Sequence, residues 1–300
     1  MLRFARRWVG VSGVVALAGC GHATDHAPAR APHGAFVASS GRAPATVWAV
    51  GDGADGGPDA KAVAGLIARG RPDRLLYLGD VYGGTGLLRG LHADGSAKDY
   101  ATRYAPVYGS LAARTAPTPG NHEWPQRSDG YDPYWRRILG GPPPAYYAFA
   151  QAGWQILSLD SEVPHDPRSA QVRWLRQQTA GAGTCRLAFW HRPRFSAGPH
   201  GDQADVAPLW DALRGHAALV LNGHDHDMQR VQPPGGPVEL VAGSGGHEHY
   251  PLHHDPRLAF GDDTHYGALR LVLRPGRATF AFVAVDGRVL AHGSVGCRPA

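Results

Sequence analysis

The sequence predicts a mixed α/β fold in one large domain. Strand-like and helix-like segments alternate over the first half of the chain, and the last third is rich in strand-like segments alone. Short polar motifs follow several apolar runs, as in open α/β sheets, where ligands bind at the carboxyl ends of strands. A hydrophobic fraction of 43% excludes a disordered chain, and about 250 residues suffice for one large core.

The elements are assigned from hydrophobic periodicity and from turn residues. In chain order we predict a strand at 46–50, a helix at 59–69, a strand at 74–78, a helix at 97–113 broken at Pro106, a short helix at 131–139, a hairpin of strands at 146–149 and 154–159, a helix at 169–179, strands at 186–190 and 218–221, and strands at 238–242, 268–273, 279–285 and 289–292. Trp174 and Leu175 are expected on the inner face of their helix. No internal repeat or boundary for a second domain is visible.

Five polar motifs carry the candidate chemistry. They are Gly51-Asp52, Gly79-Asp80, Gly120-Asn121-His122-Glu123, Trp190-His191 and Gly223-His224-Asp225-His226. His224 and His226 are two positions apart on an extended segment, so they point the same way. Each motif alone is more often a turn, a helix cap or a strand-end histidine. Together they predict a metal site at one rim, because carboxylate, amide and imidazole suit zinc, manganese or iron.

In order and spacing these motifs resemble the calcineurin-like metallophosphoesterase family, and within it the purple-acid-phosphatase-like branch, over residues 46–297. The resemblance implies a two-sheet β-sandwich flanked by helices, a four-layer αββα arrangement. It also implies two divalent or trivalent ions of iron, zinc or manganese, roughly 3.5 Å apart. The implied ligands are Asp52 and His226 for the first ion, Asp80 as the bridge, and Asn121, His191 and His224 for the second ion.

The resemblance further implies hydrolysis of small phosphate monoesters by metal-bound hydroxide. His122 would stabilise the phosphoryl group or protonate the leaving oxygen, with Glu123 orienting its ring. His200, nine residues after His191, resembles a histidine that contacts the phosphate. The alternatives are a phosphodiesterase or nucleotidase on the same core, and a non-catalytic phosphate-binding lipoprotein. A structural zinc site is a further alternative, but it would be a closed set of four ligands.

Tyr82 is where the chain departs from purple acid phosphatases. Their tyrosinate ligand lies three residues after the bridging aspartate, whereas Tyr82 lies two residues after Asp80 and Gly83 occupies the usual position. A shortened loop could still deliver the phenolate to a metal. The other interpretation, that Tyr82 only lines the pocket, is favoured because a shift of one residue along a strand reverses the side chain.

A second group of histidines lies C-terminal to the last motif. It comprises His247, His249, His253 and His254. The glycines at 243–246 and Pro251 indicate a loop, so we predict a solvated rim near the substrate entrance rather than another metal site.

The N-terminus predicts export. Arg3, Arg6 and Arg7 precede an apolar segment at 8–18, and Leu17-Ala18-Gly19-Cys20 resembles a bacterial lipobox. We therefore expect a signal peptide at 1–19, lipid on Cys20, a flexible tether at 20–45 and the catalytic domain at 46–297, held on the outer face of a membrane. An ordinary cleaved signal with an incidental cysteine is the alternative.

Charge and cysteine content limit the remaining possibilities. The formal charge of +5 falls to +2 without the three leader arginines, which is too small to predict a nucleic-acid-binding surface. Outside the lipobox, Cys185 and Cys297 form an even pair in an oxidising compartment, so a disulfide is expected. Two buried free thiols are the alternative.

Overall fold

The computed structural model describes residues 36–83, 94–181 and 183–297. The predicted signal peptide, Cys20 and most of the predicted tether lie outside the described residues. Within them, no helix is both long enough and apolar enough to cross a membrane.

Thirteen strands and six α-helices are described. The strands are β1 (Ala45–Val50), β2 (Arg74–Tyr77), β3 (Thr115–Pro117), β4 (Tyr147–Gln151), β5 (Trp154–Ser158), β6 (Cys185–Phe189), β7 (Leu219–Asn222), β8 (Met228–Val231), β9 (Val238–Ala242), β10 (Leu258–Asp262), β11 (Gly267–Arg274), β12 (Arg277–Ala284) and β13 (Val289–Gly296). The helices are α1 (Pro58–Arg69), α2 (Ala97–Asp99), α3 (Ala105–Tyr108), α4 (Tyr131–Leu139), α5 (Ala170–Thr179) and α6 (Ala207–Leu213).

The strands form two mixed sheets. The six-stranded sheet has the order β13-β12-β11-β1-β2-β3, and the seven-stranded sheet has the order β10-β8-β9-β7-β6-β5-β4. In the first sheet β1, β2 and β3, which form one half of the sheet and end at its edge, are parallel. At the centre of the second, β5, β6, β7 and β9 are parallel. Parallel strands end at the same edge, so each sheet collects its strand-end loops on one rim.

Strand periodicity explains the layers. In β1, Val47 and Ala49 point into the core between the two sheets, while Trp48 and Val50 pack under the helices on the other face. Both faces are apolar because both are buried. Helices α5 and α6 cover the outer face of the second sheet, which confirms the predicted helix-flanked sandwich.

Several predicted elements differ in detail. The helix at 97–113 is not interrupted at Pro106; it widens into a π-turn at Tyr100–Tyr104, continues as α3 and ends as a 3₁₀ turn at Gly109–Arg114. Proline has no amide hydrogen to donate to the preceding turn, and the change from α to π geometry accommodates the missing hydrogen bond. Leu175 is buried as expected, but Trp174 is only half-buried and packs on Tyr146.

Strands β3, β8 and β10 and helix α6 were not predicted. All four are short, and β8 carries Gln229 and Arg230 among its four residues. The amide of Gln229 is buried and bonds Ser196 and Asp227. A polar residue that is satisfied by distant partners weakens the periodicity from which strands are predicted.

Both ends of the described domain are attached to its sheets. Val37 is buried, and Ser40 exchanges backbone hydrogen bonds with Ala150 and Ala152 beside β4. The packed part of the chain therefore begins before residue 45. Cys185, which opens β6, is disulfide-bonded to Cys297, with their Cα atoms 5.3 Å apart.

Candidate metal centre

The rims of the two sheets meet at the predicted site. The amide of Gly51 donates to the carbonyl of Ala242, and the amide of His224 donates to Asp52 Oδ2 at 2.8 Å. A Cβ atom on Gly223 would lie 2.5 Å from Asp52 Oδ2. Only glycine therefore allows the loops after β1 and β7 to approach so closely.

One group of donor atoms surrounds the hydroxyl of Tyr82. Tyr82 Oη lies 3.1 Å from Asp52 Oδ1, 3.2 Å from Asp80 Oδ2 and 3.0 Å from His226 Nε2. His226 Nδ1 donates to the carbonyl of Glu248 at 2.7 Å, so its Nε2 presents a lone pair. A phenol has one hydrogen to donate, yet three acceptor atoms face it.

A second group surrounds Nε2 of His191. This atom lies 3.3 Å from Asp80 Oδ2, 3.0 Å from Asn121 Oδ1 and 3.2 Å from His224 Nδ1. His191 Nδ1 donates to the carbonyl of Leu78 at 2.8 Å, the tautomer-fixing bond typical of metal-binding histidines. In both groups the lone pairs of the donor atoms point at one another, and a cation bound between them would offset their repulsion. The donor set therefore fits two ions that share Asp80.

The electrostatics of these groups agree with that fit. Asp52, Asp80 and His191 offer ligand atoms that all lie within 4.8 Å of one another. Burial, with Asp80 adding to it, raises the pKa of Asp52 well above its usual range. Burial would lower the pKa of His191, but Asp80 and Asp52 outweigh it and raise that pKa to about 10. The buried carboxylates thus favour positive charge at this position, which agrees with a site for cations.

The other two histidines are held neutral. Burial and then His247 lower the pKa of His226 to about 3. Burial, followed by His191 and His200, also lowers the pKa of His224. Neutral imidazole is the form that ligates metals.

Three of the donor residues have left-handed backbone conformations. The φ angle is 59° at Asp52, 70° at Asp80 and 73° at His224. Few residues other than glycine adopt this region, although aspartate and histidine are enriched among those that do. The turn at Asp80 also determines the direction of Tyr82. Strand alternation ends at Tyr77, so the left-handed turn rather than residue parity directs the phenol into the site.

Glu123 does not orient His122. It is fully buried, and its Oε2 accepts the amides of Asp80 at 3.0 Å and Val81 at 3.2 Å. It therefore stabilises the turn that presents the carboxylate of Asp80. The partner of His122 is Asp94, whose Oδ2 lies 2.5 Å from His122 Nδ1. Asp94 lies in a loop without a recognisable motif, so the sequence offered no signal for it.

His122 and His200 lie at the open side of the donor groups. Nε2 of His122 is 3.9 Å from Asp80 Oδ2. His200 donates from Nδ1 to Asp225 Oδ1 at 2.8 Å and stacks on His224 with ring centroids 4.1 Å apart. The side chain of His200 remains 38% exposed, so it can reach a bound substrate.

The second histidine group separates into different environments. His253 and His254 are exposed, as predicted for a rim, and His249 is half-buried against Tyr266. His247 contradicts the prediction. It is 3% exposed and stacks on Tyr82 with centroids 3.9 Å apart.

Comparisons with known proteins identify a family model, a sequence relative and solved structures of similar fold. A family model described as calcineurin-like phosphoesterase matches residues 45–228. Mouse tartrate-resistant acid phosphatase type 5 is 25% identical over 287 residues, covering 80% of this chain and 84% of the relative. The solved structure of GAP50, the anchor in the inner membrane complex of Plasmodium, superposes with a TM-score of 0.66 at 15% identity, covering 86% of this chain and 90% of that one. A purple acid phosphatase from yellow lupin (Lupinus luteus) seeds gives 0.65 at 15% identity, covering 88% of this chain and 55% of the lupin protein.

Proposed function

Because the chain belongs to the calcineurin-like phosphoesterase family, we propose that it hydrolyses phosphate monoesters at a centre of two metal ions. Metal-dependent hydrolysis of phosphoric esters follows from the family and from the acid phosphatase relative. The observation that carries the proposal is the meeting of two donor groups that share Asp80 Oδ2. The name of the mouse relative, an acid phosphatase, supports monoesters over diesters.

The donor residues form two ligand sets that share one carboxylate. Asp52, Tyr82 and His226 would hold the first ion, Asn121, His191 and His224 would hold the second, and Asp80 would bridge them. Bound ions of this kind polarise the phosphoryl group and activate water. The carbonyl bonds of His191 and His226 fix the rings so that the ligating nitrogens face inward.

His122 and His200 would act on the substrate. Asp94 fixes the ring of His122 through Nδ1, which leaves Nε2 on the substrate side to bind a phosphoryl oxygen or to donate a proton to the leaving oxygen. Burial would lower the pKa of His122, but Asp94 and Asp80 outweigh it and raise that pKa, which favours the protonated form that both tasks need. Asp225 likewise directs Nε2 of His200 outward.

Tyr82 supports ferric iron at the first position. A tyrosine phenolate is a hard anionic ligand, and Tyr82 Oη lies among the three other atoms proposed to hold the first ion. Protein loaded with iron should therefore absorb visible light through phenolate-to-iron charge transfer, and Tyr82→Phe should remove the band. Colourless iron-loaded protein would leave Tyr82 as a residue that only lines the pocket.

We also propose that the chain is an exported lipoprotein. The lipobox at Leu17-Ala18-Gly19-Cys20 supports this, and the disulfide between Cys185 and Cys297 suits an oxidising compartment. The phosphate esters that it hydrolyses would then lie outside the cytoplasm.

The ligand assignment is tested by Asp80→Asn. The substitution preserves shape but removes the shared negative charge, so metal content should fall and activity should decrease by more than about 100-fold, beyond the usual loss of a group that only supports a ligand. Asp211→Asn, on an exposed face of α6, is the matched control. Elemental analysis showing two metals per chain with near-normal turnover in Asp80→Asn would exclude the bridging role.

The substrate class is tested by comparing p-nitrophenyl phosphate with bis(p-nitrophenyl) phosphate on one metal-analysed preparation. We expect the higher kcat/KM on the monoester. A preference for the diester would favour the phosphodiesterase alternative on the same metal core.

A further inference from the structure

His247 stacks on the ring of Tyr82. The rings of Tyr82 and His247 are nearly parallel, with an interplanar angle of 16° and centroids 3.9 Å apart. The ring of His122 contacts Tyr82 at 4.7 Å with a tilt of 58°. The phenol ring therefore contacts two imidazoles, and the contact with His247 is the closer and more nearly parallel one.

His247 is itself fixed to the loop that follows β1. Its amide donates to the carbonyl of Asp52 at 3.1 Å, and its Nδ1 lies 3.2 Å from Asp55 Oδ2. Asp55 is held in turn, because its Oδ1 accepts the amide of Gly57 at 2.7 Å. The imidazole thus has a defined position relative to Asp52, one of the donors around Tyr82 Oη.

The remaining nitrogen of His247 takes no part in hydrogen bonding. Nε2 is buried and has no hydrogen-bond partner among the described residues. A buried histidine nitrogen without a partner costs free energy, so hydrogen bonding alone does not account for a histidine here. Besides Asp55, the ring contacts Tyr82 face to face at 3.9 Å and His226 edge to face at 5.3 Å, and the contact with Tyr82 is the closer of the two.

From these contacts we infer that His247 is a positioning residue for Tyr82: it holds the phenol so that Oη stays among Asp52, Asp80 and His226. The inference rests on the proposed function, in which Tyr82 is a metal ligand. The backbone position of Tyr82 explains why the phenol needs the stack on His247. Tyr82 follows Asp80 by two residues, on a shortened connection, and a side chain delivered from an unusual backbone position needs lateral support to keep its orientation.

The test is a double-mutant cycle on iron retention. Wild type, Tyr82→Phe, His247→Ala and the double variant are loaded with ferric iron and dialysed against a chelator, and retained iron and the visible band are measured. His247→Ala should weaken iron retention about tenfold, the lower end for residues that support a ligand, and should shift or weaken the band. In the Tyr82→Phe background the same substitution should have no further effect on iron.

His247→Phe is the matched variant, because it keeps an aromatic face on Tyr82; retention close to wild type is expected. If His247→Ala does not fold, His247→Phe still tests whether an aromatic face on Tyr82 is what retains iron. Equal losses from His247→Ala in both backgrounds, unchanged iron and band in His247→Ala, or His247→Phe as defective as Tyr82→Phe would each overturn the inference. Failure of the proposed ligand role is distinct, because iron-loaded wild type would then lack the visible band and Tyr82→Phe would leave iron retention unchanged.

Discussion

Asp160 should make the domain less stable as the pH rises, and Asp160→Asn should remove that dependence. Asp160 follows β5 and is fully buried; its Oδ1 accepts the amide of Glu162 at 2.8 Å, and its Oδ2 has no hydrogen-bond partner among the described residues. Burial raises its pKa from 3.8 to about 7, although Arg127, 3.7 Å away, opposes the shift. The folded state therefore keeps a proton that the unfolded chain releases above pH 4.

The sign and size follow from proton linkage. Between pH 4 and pH 7 the folded state binds more protons, so this group lowers the free energy of unfolding by about 1.4 kcal/mol per pH unit, or about 4 kcal/mol in total. Asparagine cannot titrate, and its oxygen can still accept from Glu162. The advantage of Asp160→Asn over wild type should therefore grow across this range.

Urea unfolding of both proteins at several pH values measures the difference directly, because titrations common to both cancel. Asp211→Asn, on the exposed face of α6, is the control for replacing an aspartate by asparagine. A stability difference between wild type and Asp160→Asn that does not change from pH 4 to pH 7 would refute the raised pKa.

Three further outcomes are expected. Cys297→Ser opens a disulfide that spans 112 residues and should lower stability by about 2–4 kcal/mol; unchanged urea unfolding under non-reducing conditions would contradict this. Glu123→Ala leaves the amides of Asp80 and Val81 without their acceptor and should weaken metal binding about 10–100-fold, whereas Glu123→Gln retains an acceptor and should lose less; equal losses by chelator competition would argue against the turn-supporting role. Cys20→Ala should move the protein out of the membrane fraction, and mass spectrometry that finds unmodified Cys20 in membrane-derived wild-type protein would disprove lipidation.

The arrangement of the donor residues could be predicted because it follows from a local rule. Each motif comes directly after a strand, and the carboxyl ends of neighbouring parallel strands share one rim. The structure accordingly brings Asp52, Asp80, His191, His224 and His226 together.

Other features depend on contacts that are distant in sequence. The direction of Tyr82 follows from a left-handed turn, which strand parity does not describe. His247 is buried and contacts Asp55, which lies 192 residues away in the chain. Its glycine-rich surroundings in the sequence therefore wrongly suggested a solvated loop. Asp94 reaches His122 from outside any motif. Local patterns predicted which donor residues would come together, whereas the residues that orient them were defined only by tertiary packing.

The left-handed backbone at Asp52, Asp80 and His224 has a consequence for how this scaffold can change. Each such residue costs about 1 kcal/mol relative to glycine, and the buried carboxylates repel one another when no cation is bound. The donor residues thus raise the free energy of the folded domain through backbone strain and charge repulsion, and metal bound as proposed would offset the repulsion. Substitutions that abolish metal binding at these positions can therefore leave the sandwich intact or even more stable. In the proposed function, activity is therefore easier to lose than the fold itself.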